Sequence, residues 1–156
     1  MAVAVFNTRS VKGEVLFSNT PQGVRVKALF THLPSGEHGF HIHKAGDLRG
    51  EGCKGACDHY HVGEAQHHGG PPGTPGQRHT GDLGNISIDD GNGNEFQKQY
   101  YISGIQVADL YGRSVIVHKD PDDYGRGGKE DSHTTGHAGA RIACAIIGRM
   151  MCSSAH

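Results

Sequence analysis

A chain of 156 residues with 15 basic and 16 acidic side chains carries a formal net charge of −1, and 35% of it is hydrophobic. That length suits one domain around a single substantial core, read here as spanning residues 1–156. The bases are scattered among acids, which argues against a nucleic-acid partner, and no apolar run approaches the ~20 residues of a membrane span.

The opening MAVAVFNTRSVKGEVLF lacks a basic region, a sustained apolar stretch and a small-residue cleavage site, so the expected location is cytoplasmic. It holds instead two strand-like runs, AVAVFNT and GEVLFS, and VRVKALFT follows; all are rich in β-branched or aromatic residues and bounded by turn residues. HGFHIH comes next, with His38, His41 and His43 within six positions. Side chains two apart in a strand share a face, so His41 and His43 project together while Phe40 and Ile42 point the other way. Such a strand suits a wall whose apolar side is core and whose imidazole side carries a site.

Residues 44–81 form a long polar segment rich in Gly and charge. Its second half, CDHYHVGEAQHHGGPPGTPGQRHTGDLG, contains His59, His61, His67, His68 and His79 and leads to Asp82. There is too little apolar content here to fold by burial. Imidazoles with one carboxylate suit Zn²⁺, and metal binding is a direct way to order such a loop. The runs LGNISI, FQKQYYIS and RSVIVH follow, the last ending in His118 as the chain enters a second long polar segment, 119–140, before RIACAIIG. About eight strands and no convincing helix indicate an all-β protein, an antiparallel Greek-key barrel or sandwich with two long functional loops. The 13 histidines are dispersed through the chain and call for a chemical explanation, since imidazole is the commonest metal ligand.

HGFHIH, HGGPP, RHTGDLGNI, VIVHKDPDDYGRGG and TGHAGARIACAIIG, in that order and over nearly the whole chain, resemble the signature segments of the Cu/Zn superoxide dismutases. The resemblance implies an enzyme that disproportionates superoxide to oxygen and hydrogen peroxide with Cu and Zn as cofactors. It assigns His41, His43, His59 and His118 to copper, and His59, His68, His79 and Asp82 to zinc, with His59 bridging. His68 is chosen because it directly precedes Gly69 and Gly70, and its neighbour His67 stays open as the alternative. By the same resemblance Asp122 links a copper histidine to a zinc histidine, Arg141 guides the anion to copper, and Cys53 and Cys144 form a disulfide.

The resemblance further implies a homodimer, and copper delivery by a chaperone. Ala45 and Arg149 stand where such dimers bury apolar contacts, which points to a weakened interface. Other departures are particular to this chain: HYHV in place of HFNP, which adds His61; Thr134 where a lysine is common; and Cys57 and Cys152, which have no counterpart.

Overall fold

The computed structural model describes residues 1–64, 67–88 and 95–151. Cys152 lies outside the described residues, and no role for it is drawn from the fold. Nine strands make two antiparallel sheets: β1 (Ala2–Asn7), β2 (Lys12–Thr20), β3 (Gly23–His32), β4 (His38–His43), β5 (Asp82–Ile86), β6 (Phe96–Ile102), β7 (Ser114–His118), β8 (Arg141–Ile146) and β9 (Gly148–Arg149). One sheet runs β6-β3-β2-β1-β9 and the other β5-β4-β7-β8.

The additional strand arises because RIACAIIG divides. β8 pairs with β7 in one sheet, and two residues later β9 pairs with β1 in the other, with Ala2 opposite Arg149. A chain that changes sheets this way ties one edge of the sandwich shut. Helix is confined, among the described residues, to short turns: 3₁₀ turns at Lys54–Ala56 and Val107–Asp109, and one α-helical turn, α1 (Ser132–Thr135). The two long segments thus carry little regular structure of their own.

Alternation places the core as the sequence leads one to expect. β3 buries Val24, Val26, Ala28 and Phe30, and β1 buries Ala2, Ala4 and Phe6. Phe6, Phe30, Phe40 and Tyr100 form a chain of ring contacts between the sheets, with Phe30 edge-on to Phe40 at 5.7 Å. β4 departs from simple alternation, since all six of its residues are buried. Phe40 and Ile42 face the core, while His41 and His43 are covered on the opposite side by the long loops.

Cys53 and Cys144 are disulfide-bonded, with Cα atoms 6.2 Å apart across a separation of 91 residues. The bond pins the turn at Lys54–Ala56 to β8, and closing so long a loop stabilises by about 4 to 5 kcal/mol in the chain-entropy account.

Phe40 sits at the centre of the aromatic chain and is fully buried. Phe40→Ala is therefore expected to lower the stability of the metal-free protein by about 3 to 5 kcal/mol, read from the denaturant midpoint at constant slope. A loss below about 1 kcal/mol would mean that the sheets close over the gap.

Candidate metal centre

β4, β7 and the first long loop build the site together. His41 and His43 project from the outer face of β4, and β7 lies beside it in antiparallel register with His43 opposite Ser114 and His41 opposite Ile116. The loop returns alongside so that His43 and His59 make an isolated bridge. His118, the last residue of β7, lies opposite Arg141 at the start of β8. Side chains from residues 41, 43, 59 and 118 thus meet on one face, and all four are buried.

Their ring nitrogens divide in a regular way. His43 Nδ1 donates to the Cys57 carbonyl (2.8 Å) and His118 Nδ1 to the Gly139 carbonyl (3.0 Å), while His41 Nε2 bonds Asp122 (2.5 Å) and His59 Nδ1 bonds Asp82 (2.9 Å). The other nitrogens, His41 Nδ1 and Nε2 of His43, His59 and His118, are buried without a hydrogen-bond partner. One ligand atom from each of these residues lies within 4.8 Å of the others. Backbone and carboxylate partners that fix one imidazole nitrogen and leave the second as a bare lone pair are what a metal centre requires.

A second group adjoins the first through His59. Asp82 is fully buried, and its Oδ1 lies 2.9 Å from His59 Nδ1, 3.0 Å from His68 Nδ1 and 3.3 Å from His79 Nδ1. His68 Nδ1 and His79 Nδ1 lack the alignment of hydrogen bonds in spite of those distances. Bonds of ~2.0–2.1 Å to a tetrahedral ion place neighbouring ligand atoms about 3.3 Å apart, so this spacing suits zinc. Asp82 Oδ2 is separately held by the Gly69 and His79 amides, at 3.0 and 2.7 Å.

Of the two histidines left open by the sequence, His68 joins this group: it is buried and contacts both Asp82 and Asp122. His67 turns aside, its Nδ1 donating to the His68 carbonyl and its ring lying 3.8 Å from that of His133. Asp122 spans the two groups, with Oδ2 on His41 Nε2 and Oδ1 on His68 Nε2 at 2.8 Å. Arg141 directs one guanidinium nitrogen to the Cys53 carbonyl (2.8 Å) and another to the Cys57 carbonyl (2.6 Å). It lines a cavity of about 580 Å³ whose wall includes His43, His59, His118 and Thr134.

The electrostatics separate the groups. Burial, reinforced by neighbouring imidazoles, holds His41 and His43 well below the ordinary histidine range, and His118 falls to about 4 for the same first reason. These rings are neutral at physiological pH and present lone pairs. Burial also disfavours charge on His68, but the Asp122 and Asp82 carboxylates outweigh it and raise its pKa to about 9. Burial alone would raise Asp82, yet the close imidazole nitrogens of His59, His68 and His79 hold it well below the usual carboxylate range. Desolvation lowers Arg141 from its normal value, and the intrinsic pKa is high enough that the group stays charged.

Several supporting residues were not apparent in the sequence. Asn85 fixes the Asp122 backbone from both sides, accepting from its amide at 2.7 Å and donating to its carbonyl at 2.9 Å. Gly136, at φ +75°, passes so close that a Cβ there would lie 2.3 Å from Asp122 Oδ1 and 2.4 Å from His68 Nε2. Cys57 contributes its carbonyl to both His43 and Arg141 from a left-handed φ of 64°. The only signal for Asn85 was its place in DLGNI beside the carboxylate, and the carbonyl role of Cys57 leaves no trace in side-chain chemistry.

The comparisons with known proteins agree with this geometry. A family model described as copper/zinc superoxide dismutase (SODC) matches residues 11–147. The superoxide dismutase [Cu-Zn] of Paramecium bursaria Chlorella virus 1 is 44% identical over 143 residues, covering 88% of this chain and 73% of the viral protein. The crystal structure of the clock protein EA4 superposes with a TM-score of 0.82 at 38% identity, covering 94% of this chain and 92% of that one. With its donor sets and its sequence in agreement, the chain belongs to the copper/zinc superoxide dismutase family.

Proposed function

We propose that His41, His43, His59 and His118 hold copper, that His59, His68, His79 and Asp82 hold zinc, and that Arg141 captures superoxide beside the copper group. The enzyme converts two superoxide anions and two protons to oxygen and hydrogen peroxide. The observation that carries the assignment is the set of four buried, unpartnered imidazole nitrogens, with the second nitrogens of His41 and His59 each facing a buried carboxylate.

Copper, when bound, supplies the one-electron couple, and zinc supplies a fixed positive charge on the far side of His59. The protein does the rest. Arg141 stays charged and keeps further N–H donors beyond the two that the carbonyls occupy, so it binds a small anion against the His118 side of the cavity. His59 is anchored at Nδ1 and faces the copper group with Nε2, which places a nitrogen able to hold and deliver a proton where peroxide is formed. Asp122 holds His41 and His68 in fixed orientation from the other side.

The single domain is proposed to act in the cytoplasm as a homodimer loaded by a copper chaperone. Val5 on β1, Ile146 on β8 and Met151 are exposed apolar side chains that such a contact would cover. Arg149 instead lies over the Tyr111 ring, which keeps it folded against its own chain. Among the described residues no helix is long and apolar enough to cross a membrane.

His118→Ala removes a donor from the copper group alone. The variant is expected to lose at least ~90% of dismutase activity and most of its copper while keeping about one zinc per chain, measured by elemental analysis and superoxide scavenging on one sample. Retained copper and activity would refute the assignment.

Proton release separates the two groups. Below its folded pKa of about 9, His68 carries a proton in the metal-free chain that a metal at Nδ1 must displace, whereas His118 stays neutral down to about 4. Zinc uptake at pH 7.5 should therefore release about one proton, and none of it above pH ~10, as read by calorimetry in buffers of different ionisation enthalpy. Equal release at both pH values contradicts the reading.

Long-range attraction of superoxide should be weak. The cavity wall balances Lys44 and Arg141 against Asp58 and Asp131, and Thr134 stands at its rim without charge. Thr134→Lys is expected to raise the second-order rate about 2- to 3-fold at low salt and to steepen its fall with ionic strength. An unchanged salt slope would show that this rim does not govern approach.

A further inference from the structure

His67 and His133 remain outside the assigned centre, yet they meet across the two long loops. Their ring centroids are 3.8 Å apart with the planes inclined by 43°. His67 donates from Nδ1 to the His68 carbonyl at 2.9 Å, which leaves Nε2 as a lone pair. That is the same preparation seen at His43 and His118, where a backbone carbonyl takes Nδ1 and the other nitrogen is left for a metal. His61, the histidine that HYHV adds, is prepared the opposite way: its Nδ1 accepts from the Thr80 amide at 3.1 Å.

The pair combines one fixed and one movable ring. His67 is half-buried, and a Cβ on Gly125 would come within 3.4 Å of its ring, so the loop packs against it. His133 is exposed at the cavity wall, while its own carbonyl is fixed by the His68 amide at 2.8 Å. Ring centroids in the buried cluster lie between 4.0 and 6.3 Å apart, and an exposed His133 gains that room by turning outward.

We propose that His67 and His133 form a third, exchangeable site for a borderline divalent cation at the rim of the cavity, with water completing the coordination. Imidazole nitrogen suits Zn²⁺ and Cu²⁺, and no carboxylate is needed for either. A cation held there joins the loop that carries His68 to the loop that carries Thr134 and Gly136. It also adds positive charge at the rim of a cavity whose charged residues otherwise balance.

The test uses the fully loaded enzyme, freed of excess metal and titrated with Zn²⁺ alone in a calorimeter. One further equivalent per chain is expected. His133→Gln should weaken it at least tenfold while leaving resident copper and zinc unchanged, and His67→Gln should weaken it similarly. His32→Gln, which alters an exposed histidine bonded to Thr31, should leave it as it was. The absence of a third equivalent, or undiminished affinity in His133→Gln, overturns the proposal.

Discussion

The structure depends on six imidazole nitrogens that, among the described residues, are buried and have no hydrogen-bond partner. Leaving one buried polar atom unpaired costs about 1 to 3 kcal/mol, so a cluster of this size is a considerable burden on a chain of 156 residues. The sandwich carries it because the outer face of β4 is roofed by loops that have little apolar content of their own. A bound metal would offset that cost and tie the described parts of those loops to β4 in the same step.

The division of charge follows from the same constraint. Where only imidazoles and backbone carbonyls meet, burial keeps every ring neutral, as at His43 and His118. Where Asp82 and Asp122 both reach one ring, at His68, the proton is held instead. His41 and His59, which touch one carboxylate each, stay lowered, so it is contact with both that sets His68 apart.

Much of this was legible in the sequence for a physical reason: strand alternation is local. The period of two in HGFHIH separates Phe40 and Ile42 from His41 and His43, and each occupies the side that the pattern indicates. Which distant histidines would join them was legible only by resemblance, since nothing local brings His59 or His118 to β4. The choice between His67 and His68 needed the fold, because neighbouring residues in an irregular loop have no periodicity to tell them apart. Asn85, Gly136 and the Cys57 carbonyl act through close backbone approach, which residue type alone does not report. The division of RIACAIIG into β8 and β9 was likewise hidden, as one continuous apolar run serves both sheets.

Arg141 is held by the carbonyls of Cys53 and Cys57, at the two ends of one short turn, and Cys53 is joined by its disulfide to β8, the strand on which Arg141 itself begins. The guanidinium and the covalent crosslink therefore close the same small circuit of chain. Reduction of the crosslink loosens a turn whose far end, the Cys57 carbonyl, holds His43 as well as the guanidinium. On the role proposed for Arg141, the thiol balance of the surroundings thus acts on the aim of the capturing cation together with the stability of the fold.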